Sequence, residues 1–305
     1  MIVGGNPKAK AGQKALVIML LVSFAATTVL PFLWMLSTAL KRPDAPIASF
    51  LPGVPTLDNF VKVFEVLPFG RFYLNSILIA FVVTFGKVAT SALAAYAFAR
   101  LEFRGRDKLF FAYLATMMLP GALTMVPLFM LLTGMPDHLN ALFGTTYFTD
   151  DLYFLGRWFV GRALGTDSYF ALIVPGLFTA YGTFMLRQFF LGIPKELDEA
   201  AMIDGCTRFQ IFRTVVLPLS KPALATLATF TFMGSWGDFM WPMIMTNAAE
   251  MRTLPVGLQS FMGQYGAEWP VMMAGAMLMI APKILVFVFC QRWFVEGIQV
   301  GGVNG

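Results

Sequence analysis

Two cysteines, Cys206 and Cys290, and one histidine, His138, are the only soft metal ligands of their kind in a chain of 305 residues. That is too few for a disulfide framework or a Cys/His metal cluster. Charge is scarce too: 13% of the residues are Asp, Glu, Lys or Arg, against 58% that are hydrophobic. A soluble domain of this length cannot hide so much apolar side chain behind so few charges, so lipid is the main solvent of the chain. The GxxxxGK[ST] phosphate loop, the HExxH zinc helix and the GxSxG nucleophile elbow are all missing. ATP binding of the phosphate-loop kind and the two hydrolase chemistries therefore find no motif here. His138, beside Asp137, reads as an ordinary loop residue. The net charge of +5 does not point to nucleic acid, because the basic residues fill short gaps between apolar runs instead of forming a stripe.

What is present is a series of long apolar runs. A bilayer core about 30 Å thick needs roughly 20 apolar helical residues. Six stretches meet that length, at 15–36, 75–99, 109–132, 168–186, 222–242 and 270–290. The expected fold is therefore an all-α polytopic membrane protein with six transmembrane helices. The first run follows Lys8, Lys10 and Lys14 but is too long for a signal peptide and has no small-residue cleavage site after it, so it reads as a retained anchor. With residues 1–14 inside, the inner segments 1–14, 100–108, 187–221 and 291–305 carry 13 Lys and Arg, against 7 on the opposite side. Basic residues are retained on the cytoplasmic face, which places both termini there. The domain organisation is a short N-terminal segment 1–14, a membrane domain 15–290 with a cytoplasmic loop at 187–221, and a tail at 291–305.

Lys87, Lys283 and Asp238 fall inside these runs. A charge at membrane depth is costly unless it faces a partner or a wet cavity, so each is a candidate for function, with snorkelling or a helix-helix ion pair as the competing explanation. Tyr181 and Trp236 could stack on a sugar ring, or serve only in helix packing and the interface belt. Pro120, Pro127, Pro175 and Pro282 predict bends or breaks within spans.

The loop 187–221 is not a plain linker. Pro194 suits the first position of a helix, and Glu196, Asp198 and Glu199 suit its first turns, where the helix dipole favours acids. Leu197, Ala200 and Ala201 recur at helical spacing, Gly205 supplies a left-handed stop, and a second helical stretch through Phe209 and Phe212 runs to Val216 before Pro218. A helix-turn-helix with its own apolar face, held outside the membrane, calls for a partner.

At these residues the chain resembles the permeases of binding-protein-dependent ABC importers. Glu199-Ala200-Ala201, three residues, Gly205, nine residues, Val215, one residue and Leu217-Pro218 resemble their EAA loop, with Val215 where the family has isoleucine. The stretches Ala95 to Arg100, Arg187 to Phe190, Pro218 to Leu224 and Trp236 to Pro242, and the tail from Gln291 to Gly305, are similar to the carbohydrate-uptake branch and its maltose-type second permease. Asn304 stands where relatives have lysine. The resemblance implies a type I ABC importer permease fold in a bacterial or archaeal cell membrane, forming half of a pore for a di- or oligosaccharide, polyol or sugar phosphate. It implies a second permease, two copies of a cytoplasmic ATPase subunit and an extracytoplasmic sugar-binding protein as partners. It also implies that Glu199, Ala200, Ala201, Asp204, Gly205, Leu217 and Pro218 form the joint with the ATPase. No cofactor is expected on this chain, ATP and Mg belonging to the ATPase subunits. Lys87, Tyr181, Trp236 and Asp238 are the pathway candidates.

One segment departs from the family. Between Phe143 and Leu172 relatives have a short turn, whereas this chain runs through Tyr147, Phe148, Tyr153, Phe154, Trp158 and Phe159. These aromatics suit the lipid interface, with Asp150-Asp151 capping a short helix; a contact with a binding protein is the alternative. The competing function for the whole chain is an ion-coupled secondary transporter using Lys87, Asp238 or Lys283.

Overall fold

A computed structural model describes residues 7–42, 46, 48–154, 159–264 and 268–301. Arg157, Trp158 and residues 302–305, including Asn304, lie outside the described residues. Among those described, the chain is helical apart from one small hairpin. Five helical stretches are long and apolar enough to cross a bilayer: Gln13–Ala39, Phe69–Arg100, Gly121–Phe143, Tyr169–Leu191 and Trp269–Gln291. A sixth arises if Arg208–Leu219 and Lys221–Trp236, which meet at 78°, count as one broken span.

The chain forms two units, Met1–Leu67 with Ser260–Met279 and Pro68–Gln259 with Ile280–Gly305. In the first, helix α1 (Pro7–Ala39) leaves its apolar window exposed, with Phe24 74% exposed. That is how a helix meeting lipid or another subunit presents itself. Its end is secured by α2 (Asp58–Val66): the buried Asn59 side chain donates to the carbonyls of Ala39 and Lys41 at 2.7 and 2.6 Å.

The second unit centres on α3 (Phe69–Arg100), which packs on α7 (Ala180–Leu191) and α11 (Lys221–Trp236). Small residues let the three approach closely, as they do in membrane bundles. A Cβ on Gly182 of α7 would lie 2.6 Å from Ser91 Oγ of α3 and 3.2 Å from Leu227 Cδ1 of α11. One core layer joins Ala92, Ala95, Tyr96, Leu186, Phe190 and Leu227, and a second joins Ile79, Val83, Leu132, Leu172, Met245 and Met251.

Between α3 and α7 the helices are α4 (Arg106–Ala115), α5 (Gly121–Phe143) and α6 (Tyr169–Ile173). The stretch 109–132 is thus divided: a 3₁₀ turn at Thr116–Met118 ends α4, Leu119 is extended, and α5 starts after Pro120. Proline disfavours helical backbone in the residue before it, so the bend or break expected at Pro120 is here a full break. The connection after α5 holds strands β1 (Asp151–Phe154) and β2 (Phe159–Arg162), antiparallel with Asp151 opposite Arg162. This corrects the expected short helix after Asp150-Asp151, since aromatic and β-branched side chains favour pairing across two strands. The hairpin's root is fixed by Asp167, a non-glycine residue at φ 57°. Its carboxylate accepts the backbone N–H groups of Asn247 and Ala248 at 2.7 and 2.9 Å.

Candidate functional site

The loop after α7 folds into the expected pair of short helices, α8 (Glu196–Ile203) and α9 (Arg208–Ile211), but Lys195 is the N-cap of α8, so Pro194 lies before the helix and not at its first position. Gly205, at φ 83°, ends α8 with its own N–H donating to Met202 O at 3.0 Å and the Cys206 N–H donating to Ala201 O at 2.9 Å. These are the two bonds of a Schellman turn, which needs a residue without a Cβ penalty in the left-handed region. Thr207 then opens α9 with a capping box: its hydroxyl accepts from Gln210 N, and Gln210 Oε1 accepts from Thr207 N at 2.7 Å. A π-helical turn at Phe212–Val216 and α10 (Leu217–Leu219) carry the helix through Pro218 instead of ending it at Val216. Widened turns of this kind accommodate the bond that a proline cannot make.

Glu199, Ala200, Asp204, Gly205 and Pro218 are exposed, Ala201 and Leu217 half-buried. Around them stand uncovered apolar side chains, with Ile203 87% and Phe209 64% exposed. The opposite side of the loop is fastened to α3. Tyr96 Oη donates to Arg208 O at 2.9 Å, and Arg100 Nη2 donates to the carbonyls of Phe190 and Ile193 at 2.8 and 2.7 Å. Arg100 Nη1 lies 3.4 Å from Asp198 Oδ2, and Arg187 Nε donates to Phe98 O at 3.2 Å while stacking over the Phe110 ring.

In the same unit a cavity of about 420 Å³ lies against α3, α7 and α11. Lys87, near the middle of α3, and Asp238, in the turn between α11 and α12 (Met240–Met245), are the two charged side chains on its wall. The hydroxyl-bearing residues Ser76, Thr179, Tyr181 and Ser235 share a wall that is otherwise largely apolar, the mixture of apolar lining and a few polar groups that suits a sugar ring with its hydroxyls. Asp238 is held by the Trp241 N–H at 3.4 Å, and Trp241 Nε1 donates to Ala171 O at 2.9 Å.

Lys87, Tyr181 and Asp238 thus share one cavity, whereas Trp236 does not line it. Trp236 is 1% exposed, stacked on Phe232 and edge-on to Tyr73 with ring centroids 5.7 and 5.4 Å away. Trp241 lines the wall in its place and was missed by sequence reasoning. The signal was Gly237, where α11 ends and the face presented by later residues changes. Lys283, on the last helix (Trp269–Gly301), brings its ammonium group against Gly237.

The family model described as binding-protein-dependent transport system inner membrane component matches residues 87–300. The chain belongs to that family. Among similar permeases is the arabinooligosaccharide transport system permease protein of Halalkalibacterium halodurans, 34% identical over 270 residues, covering 88% of this chain and 86% of the relative. The sn-glycerol-3-phosphate transport system permease protein of Yersinia pestis is 36% identical over 263 residues, covering 84% and 83%. The sulfoquinovosyl glycerol transport system permease protein of Agrobacterium fabrum is 33% identical over 281 residues, covering 90% and 88%. The fold is that of a chain in the crystal structure of a bacterial ABC transporter involved in the import of alginate, at a TM-score of 0.75, 21% identity and coverage of 95% and 99%. This family's fold accounts for the long helices, and its EAA motif stands here as Glu199-Ala200-Ala201. The chain is therefore a multi-pass inner-membrane transport component.

Proposed function

We propose that this permease forms one half of the pathway of an ATP-driven sugar importer, paired with a second permease. Two copies of a separate cytoplasmic ATPase subunit hold ATP and Mg, and an extracytoplasmic binding protein delivers the cargo. Both termini and the loop from α7 to α11 face the cytoplasm, in keeping with the excess of Lys and Arg on that side. The observation that carries the reading is the loop itself. A short helix ending in a Schellman turn at Gly205 leaves Ile203 and Phe209 uncovered beside Glu199-Ala200-Ala201. Exposed apolar side chains on a rigid, capped element are what a cleft in a partner subunit would receive. Glu199, Ala200, Ala201, Asp204 and Gly205 make this contact, with Leu217 and Pro218 setting the direction in which the chain leaves it.

Cargo passes the cavity that holds Lys87, Asp238 and Tyr181, where hydroxyls and one charge of each sign can exchange hydrogen bonds with sugar hydroxyl groups. Relatives named for arabinooligosaccharide and sn-glycerol-3-phosphate transport support a sugar or a polyol phosphate as the cargo. The test is uptake by proteoliposomes containing the assembled transporter and loaded binding protein, using arabinotriose and sn-glycerol-3-phosphate. Uptake that requires internal ATP and survives collapse of the ion gradients is expected. Uptake that persists without ATP and collapses with an ion gradient would instead establish a secondary transporter.

A further inference from the structure

We infer that the buried ion pair between Arg100 and Asp198 is the joint through which movement of α8 enters α3, and that α3 carries it to Lys87 in the cavity. This rests on the coupling reading above and adds to it the positioning residues and the route. Arg100 is the last residue of α3, and its guanidinium gathers three segments at once. Nη1 faces Asp198 of α8 at 3.4 Å, while Nη2 donates to Phe190 O at the end of α7 and to Ile193 O just beyond it. The two side chains are only 3% and 8% exposed, so their attraction is little screened by water.

The contact is also not at its tightest. Asp198 Oδ1 and Arg100 Nε find no hydrogen-bond partner among the described residues. Arginine and carboxylate reach their strongest geometry when two parallel bonds form, so a closer arrangement is open to this pair if α8 shifts. A joint with a looser and a tighter arrangement can register a movement instead of merely resisting it. One turn earlier, Tyr96 Oη donates to Arg208 O, which ties the second helix of the loop to the same end of α3.

From Arg100 the helix is continuous to Lys87. At 1.5 Å per residue the distance is roughly 20 Å, a span that an unbroken helix carries as one body. Among the described residues no other helix joins the loop directly to a charged residue of the cavity: α11 begins beyond a 78° bend and ends before Asp238.

The experiment uses the whole transporter, with Cys206 and Cys290 replaced by serine and Lys87→Cys as a reporter read by a membrane-impermeant maleimide. The labelling rate is compared between the nucleotide-free and the ATP-vanadate-trapped complex, so no cargo is needed. In the parent, trapping should change the rate fivefold or more. With Asp198→Asn or Arg100→Lys the change should shrink below twofold, and Asp198→Glu should retain it. A variant that merely lowered the amount of folded complex would leave this ratio unaltered. If Asp198→Asn keeps the full change while Gly205→Tyr abolishes it, the inference is wrong and the coupling reading stands. If Gly205→Tyr also keeps it, both fail, and a parent without any change overturns the α3 route. Should Asp198→Asn not assemble, Tyr96→Phe keeps the ring and loses one tie; it should at least halve the change, and an undiminished change would overturn the inference.

Discussion

Tyr169 donates its hydroxyl to Asn75 Oδ1 at 2.6 Å, joining the start of α6 to α3. The other end of the same amide donates to Glu250 O and Arg252 O at 2.8 and 3.0 Å. Asn75 is fully buried, and it thereby holds three segments together. Asn75→Ala would remove all three hydrogen bonds, and a polar group left unpaired in a buried site costs about 1–3 kcal/mol. Thermal unfolding of the purified complex should show a clear loss of stability, and Asn75→Asp should lose the two carbonyl bonds while keeping the Tyr169 contact. A midpoint unchanged in Asn75→Ala would contradict this role.

Lys87 and Asp238 should behave as a pair. Removing either charge alone leaves the other uncompensated at membrane depth, so Lys87→Met and Asp238→Asn should each reduce uptake strongly. The double variant should be less impaired than the sum of the singles implies. A double-mutant cycle on uptake rates is expected to show a coupling of about 1 kcal/mol or more, and strict additivity would separate the two residues.

Asp167 offers a test of the hairpin's root. Its side chain serves two N–H groups from a left-handed backbone position. Asn keeps an acceptor oxygen and tolerates that conformation, whereas Ala does neither well. Asp167→Asn should be close to neutral in thermal stability, and Asp167→Ala should lower it by about 1–3 kcal/mol. Equal effects of the two would show that the carboxylate position is unimportant.

Much of this architecture could be read from residue order because lipid demands long apolar runs, and runs of that length are unmistakable. The stop at Gly205 was legible for a similar reason: the left-handed turn needs glycine, and the acids of the first turn mark where α8 begins. The break at Leu119 and Pro120 was signalled by the proline, but with both flanks equally apolar nothing separated a bend in one helix from the end of one and the start of the next. The hairpin was hidden because Asp150-Asp151 mimics a helix cap while the pairing that decides the matter lies across a loop. Trp236 and Trp241 were indistinguishable by type, and only the end of α11 at Gly237 turns one into the core and the other onto the cavity wall. The Arg100–Asp198 pair joins residues far apart in sequence, and no periodicity announces such a contact.

The measurement that bears most directly on the whole account is ATP hydrolysis by the reconstituted transporter, with and without loaded binding protein, in the parent and in Gly205→Tyr. Gly205 sits at φ 83° with open space around the position of a Cβ, so a tyrosine there strains the turn by about 1–2 kcal/mol and projects from the exposed face of the loop without disturbing a packed neighbour. The parent should be stimulated by the binding protein, and Gly205→Tyr should lose most of both stimulation and uptake while the spans stay folded. Stimulation and uptake at parental levels in Gly205→Tyr would contradict this.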